Sequence, residues 1–262
     1  MPFEKVAQAL ARDGYAYVMF DAALVAQAQS AYQVLTRSLG AERSSWAITR
    51  PNEAEAELGF ISRSGTDSDQ KMFFHFAFDL RERLMTSGVK LTKQQDVCLE
   101  SIDLLYQALK SLTRRIACGF LHSSFGCEIL QSIDEGFKPG VAYGASTLRF
   151  LHYPNTEDQR GAREHFDRSF LTIHLGDRGG ALLALVDGEW VDVSPPQGYA
   201  LLFFGVKAMY ASSGAITPLR HMSTTTPTCA REAVVMFVHG DVGLTVHNAQ
   251  ATYEALNEEN QL

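Results

Sequence analysis

From Ser146 onward the chain repeats one pattern: short β-type runs spaced roughly 8 to 12 residues apart, each closed by a turn signal. The runs are Thr147–Tyr153, Ser169–Leu175, Ala181–Val186, Trp190–Val193, Tyr199–Phe204, His221–Thr225 and Ala233–Val238. Pro154-Asn155, Asp177-Arg178-Gly179-Gly180, Asp187-Gly188 and Pro195-Pro196-Gln197-Gly198 separate them. Strands must pair their backbone groups and cover an apolar face, so a series this regular has to close into a barrel or stack as two sheets. The pattern predicts a mainly β core, a barrel or jelly roll.

The preceding residues read differently. Val6, Leu10 and the stretch from Ala22 to about Leu39 carry helical spacing, with Gly14 ending the first helix and Asp21 placed to cap the second. Tyr15–Phe20 between them reads as a short strand. The longest helical pattern runs from Leu91 to about Leu121, with Val97, Ile102, Leu105, Ala108, Leu109, Leu112, Ile116 and Phe120 as its apolar stripe. Arg50–Gln70 is polar and rich in Gly, Ser, Asp and Glu, which predicts a long surface loop. The expected organisation is a single α+β domain over 1–262: a mainly helical part at 1–140, a β core at 141–245 and a tail at 246–262.

Composition narrows the function classes. With 46% hydrophobic residues over 262 positions, the chain has the material for a core of its own. A formal charge of −7, without any Lys/Arg block, offers nothing to nucleic acid or to an anionic membrane, so a small-molecule partner is expected. The longest apolar runs are far short of a membrane span, and Met1–Lys5 leads into an amphipathic stretch with no secretory signal, so the cytoplasm is the expected location. Cys98, Cys118, Cys127 and Cys229 lack ligand spacing and read as reduced core thiols. Oligomeric state is not readable.

One constellation carries chemistry. His165-Phe166-Asp167 sets two ligand-type side chains two residues apart, which in a strand directs both to one face. His221, at the start of another run, can complete a 2-His-1-carboxylate triad, the facial arrangement of non-haem Fe(II) oxygenases. Arg231 follows across Thr226-Pro227-Thr228, read as a turn pairing the strands of His221 and Arg231. A buried guanidinium without an anion is costly, so a ligand carboxylate is its expected partner, with the Tyr153 hydroxyl as a further donor.

In this order the motifs resemble the isopenicillin N synthase-like Fe(II)/2-oxoglutarate-dependent oxygenases over roughly Leu58 to Asp241. Leu148-Arg149-Phe150-Leu151-His152-Tyr153-Pro154 is similar to the strand ending in the family's Tyr-Pro, and His165-Phe166-Asp167 to its H-x-D. Gly179-Gly180-Ala181-Leu182, Ser213-Gly214 (where the family has Asn-Gly) and Arg231 (where R-x-S begins) follow in order. The resemblance implies a double-stranded β-helix holding Fe(II) on His165, Asp167 and His221, with Arg231 and Tyr153 binding the far carboxylate of 2-oxoglutarate. It also implies O2-dependent hydroxylation, desaturation or cyclisation of a small molecule, with release of succinate and CO2. The alternatives are a related Fe(II) oxidase that uses Arg231 for a substrate carboxylate and a non-catalytic binding barrel.

The chain departs from the family at Ala233, which replaces the serine of R-x-S, at Met222-Ser223 after the distal histidine, and at Leu151. Ala233 predicts looser 2-oxoglutarate binding. Arg149, sharing strand parity with Tyr153, and Arg163 are the candidate substrate-binding cations, with Arg160 and Arg168 nearby; solvated surface charge is the ordinary reading of all four. His75, His122, His152, His174, His239 and His247 read as structural or exposed, and Trp190 and Phe203-Phe204 as core.

Overall fold

The structure is a computed structural model that describes residues 3–49, 56–63, 71–120, 133–134, 136–137, 146–154, 161–226 and 228–240. Cys127, His122, His247, Arg160 and the tail at 246–262 lie outside the described residues.

Helix α1 (Phe3–Asp13) leads into β1 (Tyr15–Met19), and α2 (Ala22–Leu39) follows. Asp21 caps α2 as its sequence position predicts, accepting from the Ala23 amide at 2.9 Å and the Leu24 amide at 3.3 Å. Strands β2 (Ile48–Thr49), β3 (Ala56–Arg63) and β4 (Lys71–Phe76) precede α3 (Leu80–Thr86) and α4 (Lys93–Cys118). Thr92 and Gln95 start α4 with a reciprocal capping box. Then come β5 (Thr147–Tyr153), β6 (Leu171–Arg178), β7 (Gly180–Val186), β8 (Glu189–Asp192), β9 (Tyr199–Phe204), the short α5 (Val206–Ala211), β10 (His221–Thr225) and β11 (Arg231–Val238).

The strands form a major sheet of eight, β1-β9-β6-β11-β5-β4-β3-β2, and a minor sheet of three, β10-β7-β8, giving the jelly-roll core that the β pattern predicts. Its outer face, with Phe74, Leu148, Phe150, Ile173, Leu202, Phe204, Val234 and Met236, buries against α2 and α4. Tyr32 of α2 stacks on Phe150 with ring centroids 4.9 Å apart. Leu201 and Phe203 on the inner face meet Leu182 and Ala184 of the minor sheet. Asp187 (φ 50°) and Gly188 (φ 83°) close the β7–β8 hairpin with two left-handed residues, the geometry an Asp-Gly pair signals. Among the described residues no helix is long and apolar enough to cross a membrane.

Several expectations need correcting. The Arg50–Gln70 loop contains β3, which pairs with β4 and so extends the major sheet: Leu58 supplies buried apolar surface that outweighs the polar residues around it. The N-terminal part therefore contributes strands β1–β4 to the sheet, beyond the 141–245 core. β10 and β11 do not pair; the chain between them crosses from the minor sheet to the major. Trp190, on the minor sheet's edge strand, and Val97, on the solvent side of α4, are exposed. Cys118 and Cys229 are exposed free thiols, while Cys98 is buried as expected.

Candidate metal centre

His165, Asp167 and His221 bring one ligand atom each to within 4.8 Å of one another, the grouping of this kind found among the described residues. Strand alternation does not achieve this, because Asp167 lies in a loop and His165 makes only an isolated bridge to His221. That bridge is reciprocal, with the His165 amide donating to the His221 carbonyl at 2.9 Å and the His221 amide to the His165 carbonyl at 3.0 Å. Below Asp167 the backbone of Gly205 passes so closely that a Cβ there would stand 2.5 Å from the Asp167 carbonyl and closer still to that of Ser169. Only glycine fits there.

The ring orientations are fixed from outside. His165 Nδ1 donates to the Arg163 carbonyl at 2.6 Å and His221 Nδ1 to the Leu219 carbonyl at 3.0 Å, so both Nε2 atoms face Asp167. Asp167 Oδ2 accepts from Thr172 Oγ1 at 2.6 Å, which leaves Oδ1 3.5 Å from His165 Nε2 and 3.8 Å from His221 Nε2. Burial pushes His221 down to about 4, with the neighbouring His165 adding to the shift, so its imidazole is neutral at pH 7. Burial alone would raise the Asp167 carboxyl, but the attraction of His221 and His165 and the Thr172 hydroxyl outweigh it and keep the group ionised. Burial opposes the charged form of His165 too, yet its hydrogen bond and attraction to Asp167 raise it overall. Two imidazole nitrogens and one carboxylate oxygen, converging with their outer atoms already bonded, fit a first-row divalent metal such as Fe(II).

At the other end of the inner face, Arg231 lies opposite Tyr153 in the β11–β5 register, its guanidinium carbon 5.1 Å from the ring centre. The ligand carboxylate expected for Arg231 has an internal counterpart. Arg231 Nε donates to Asp177 Oδ1 at 2.6 Å, Nη2 donates to Oδ2, and both side chains are 98–99% buried. His174 Nε2 meets the same Oδ2 at 3.0 Å. A bulge makes this possible: β6 slips by one residue against β11 between Val234 and Val235, which turns Asp177 onto the face shared by Thr172 and His174. Simple alternation would put it outside, so spacing alone could not find it; alternation likewise leaves the contribution of Thr172 open, and the structure places its hydroxyl on Asp167. Around Arg231 the inner face is apolar, with Phe73, Leu151, Tyr153, Ala233 and Val235. Among the described residues the Thr225 hydroxyl, buried opposite Gly180, has no hydrogen-bond partner, and Gly180 packs on the Arg231 side chain.

The substrate candidates part company. Arg149 sits on the inner face between the rings of Phe73 and Phe237 and donates from Nε to His75 Nε2. The Arg163 side chain is exposed and contributes its carbonyl to His165 instead.

Residues 144–240 match the model of the 2OG-Fe(II) oxygenase superfamily. A gibberellin 20 oxidase 2 of Oryza sativa subsp. indica is 30% identical over 115 residues, 42% of this chain and 30% of that protein's length. A candidate oxygenase of Shewanella oneidensis has the same fold, with a TM-score of 0.71 at 19% identity, covering 99% of this chain and 96% of the other. So does dioxygenase for auxin oxidation 1 of Arabidopsis thaliana, determined with 2-oxoglutarate, with a TM-score of 0.69 at 15% identity, covering 93% and 90%.

Proposed function

We propose that this chain, whose residues 144–240 match the model of the 2OG-Fe(II) oxygenase superfamily, is an Fe(II)- and 2-oxoglutarate-dependent dioxygenase acting on a small molecule. The observation that carries the reading is the convergence of His165 Nε2, His221 Nε2 and Asp167 Oδ1, each oriented by a bond on its far side. These atoms would hold Fe(II), which when bound lets O2 couple the conversion of 2-oxoglutarate to succinate and CO2 with oxidation of a substrate C–H bond.

The chain's own part is orientation. Thr172 fixes which Asp167 oxygen faces the imidazoles, and neutral His221 is ready to bind without losing a proton. Arg231 and Tyr153 stand at the far end of the inner face to receive the tail of the co-substrate. Arg149, held rigid between two aromatic rings, is the cation for an anionic group on the substrate. Hydroxylation is the expected outcome, with desaturation or cyclisation where the substrate radical reacts otherwise.

Incubation of Fe(II)-loaded protein with 2-oxoglutarate in air tests the reading. Succinate should form slowly without added substrate, and none should form in His221→Ala. Metal-dependent oxidation of a substrate without succinate would favour the related oxidase.

A further inference from the structure

Strand β10 runs from His221 at the metal end to Thr225, and His221, Ser223 and Thr225 are buried on the face of the minor sheet that Leu182 and Ala184 share. Thr225 lies directly opposite Gly180 in the β10–β7 register, so the two present their Cβ positions side by side, about 5 Å apart. Gly180 has no side chain, and Arg231 takes the space: a Cβ at Gly180 would stand 2.6 Å from Arg231 Cδ. The Thr225 side chain therefore stands beside that of Arg231. At this end the Arg231 guanidinium and the Lys71 ammonium both lie over the Tyr153 ring, 5.1 Å and 5.9 Å from its centre.

Among the described residues the Thr225 hydroxyl has no hydrogen-bond partner, although Thr225 is only 6% exposed. Its neighbours on the strand are engaged: Ser223 Oγ accepts from the Ala162 amide at 2.8 Å, and Thr226 Oγ1 donates to the Gly179 carbonyl at 3.2 Å. An unpaired buried hydroxyl is costly, so one that persists marks a place for a bound group. The surroundings point to an anion. Arg231 and Lys71 supply positive charge, but Asp177 already takes Arg231 Nε and one Nη2 hydrogen, so a second carboxylate meets only the remaining guanidinium N–H groups. Such a carboxylate can accept from a further donor, and Ala233, which replaces the serine of R-x-S, offers none.

We propose that the Thr225 hydroxyl donates to the far carboxylate of 2-oxoglutarate beside Arg231, supplying from the minor sheet the hydrogen bond that Ala233 cannot give from the major sheet. The proposal rests on the dioxygenase reading and adds a co-substrate-binding residue to it.

The test is anaerobic titration of Fe(II)-loaded protein with 2-oxoglutarate and, separately, with 2-oxopentanoate, which carries a methyl group where 2-oxoglutarate has its second carboxylate. The readout is the weak visible charge-transfer absorption of an iron-bound 2-oxo acid. Thr225→Val keeps the shape and removes the donor, so it should weaken 2-oxoglutarate about tenfold or more and leave 2-oxopentanoate unchanged. Thr225→Ser keeps the hydroxyl and should hold 2-oxoglutarate within about threefold of the native affinity. Thermal unfolding without co-substrate gives an independent reading: the valine variant should melt no lower than the native protein, because it removes a buried polar group that has no partner. A smaller loss of 2-oxoglutarate affinity, an equal loss for 2-oxopentanoate, or an equal loss in the serine variant overturns the proposal and leaves the dioxygenase reading standing. So does a valine variant that melts lower or does not fold, since a hydroxyl that the fold needs has its partner within the protein. Absorption with neither acid in the native protein overturns both.

Discussion

Replacing Thr172 with valine removes one hydroxyl and keeps a β-branched side chain on a buried strand. Thr172 Oγ1 lies 2.6 Å from Asp167 Oδ2 and 2.8 Å from Ser169 Oγ, so the change frees the carboxylate to turn away from the two imidazoles. A hydrogen bond to a charged acceptor contributes roughly 1.5–3 kcal/mol. At about 1.4 kcal/mol per tenfold, that is roughly 10- to 100-fold in metal affinity, the range expected for groups that orient metal ligands. Co(II) titration followed by visible absorption, with Co(II) standing in for the oxidisable Fe(II), should show this weakening in Thr172→Val. Thr172→Ser keeps the hydroxyl and should stay within about threefold. Unchanged Co(II) affinity in the valine variant would refute the reasoning, because Asp167 would then be held by its backbone alone. An equal loss in both variants would trace the effect to packing at this position, not to the hydroxyl.

Four further outcomes are expected. His165→Ala and His221→Ala should abolish Co(II) binding while far-UV circular dichroism stays native; near-normal binding in either would remove that residue from the metal centre. Since a metal must displace the proton that Asp167 helps to hold on His165, whereas His221 is already neutral above its pKa of about 4, one proton dominates the pH dependence. Co(II) affinity should therefore rise about tenfold per pH unit up to the elevated pKa of His165 and level off above it; a flat profile across that range contradicts the arrangement. Arg231→Met leaves Asp177 charged and buried, which should destabilise the fold by about 3–5 kcal/mol, and adding Asp177→Leu should restore part of the loss in thermal unfolding. Ala233→Ser should change 2-oxoglutarate affinity by less than about threefold because the Thr225 hydroxyl already serves that end, whereas Thr225→Val should weaken it; the reverse ranking would assign the donor to position 233.

What could be read from the sequence was what local chemistry determines. Asp21 caps a helix and Asp187-Gly188 makes a hairpin because the side chain or the backbone freedom needed is in the residue itself. Ser213 likewise adopts φ 51° before Gly214 at 85°, a pair of left-handed positions for which Asn-Gly is the easier choice. The grouping of His165, Asp167 and His221 was legible too, though through a different geometry: His165 and Asp167 converge by a bridge and a loop, not along a strand. What escaped depended on partners distant in the chain. Nothing around Asp177 announces that a bulge opposite Val234 and Val235 turns it toward Arg231. β3 was hidden for a similar reason, since its partner β4 and its buried Leu58 become visible only once the sheet is assembled.

The two ends of the inner face are secured by different physics, and this separates what the site can change from what it cannot. At the metal end the fixings are largely backbone: the His165–His221 bridge, the Arg163 and Leu219 carbonyls on the outer imidazole nitrogens, and the Val206 amide on the Asp167 carbonyl at 2.8 Å. Side chains at Arg163, Leu219 and Val206 can therefore vary without moving a ligand, provided the segments stay in register and Gly205 keeps its close approach. At the far end the fixing is a side-chain pair, Arg231 with Asp177, aligned by one extra residue in β6. Loss of that bulge would turn Asp177 outward and leave the Arg231 charge without it, while the backbone fixings of His165, Asp167 and His221, none of which lies in β6, would stay in place. The far end can thus vary with little effect on the ligands, since the strand that aligns Asp177 hydrogen-bonds to the metal end through Thr172, four residues before Gly176 at the bulge.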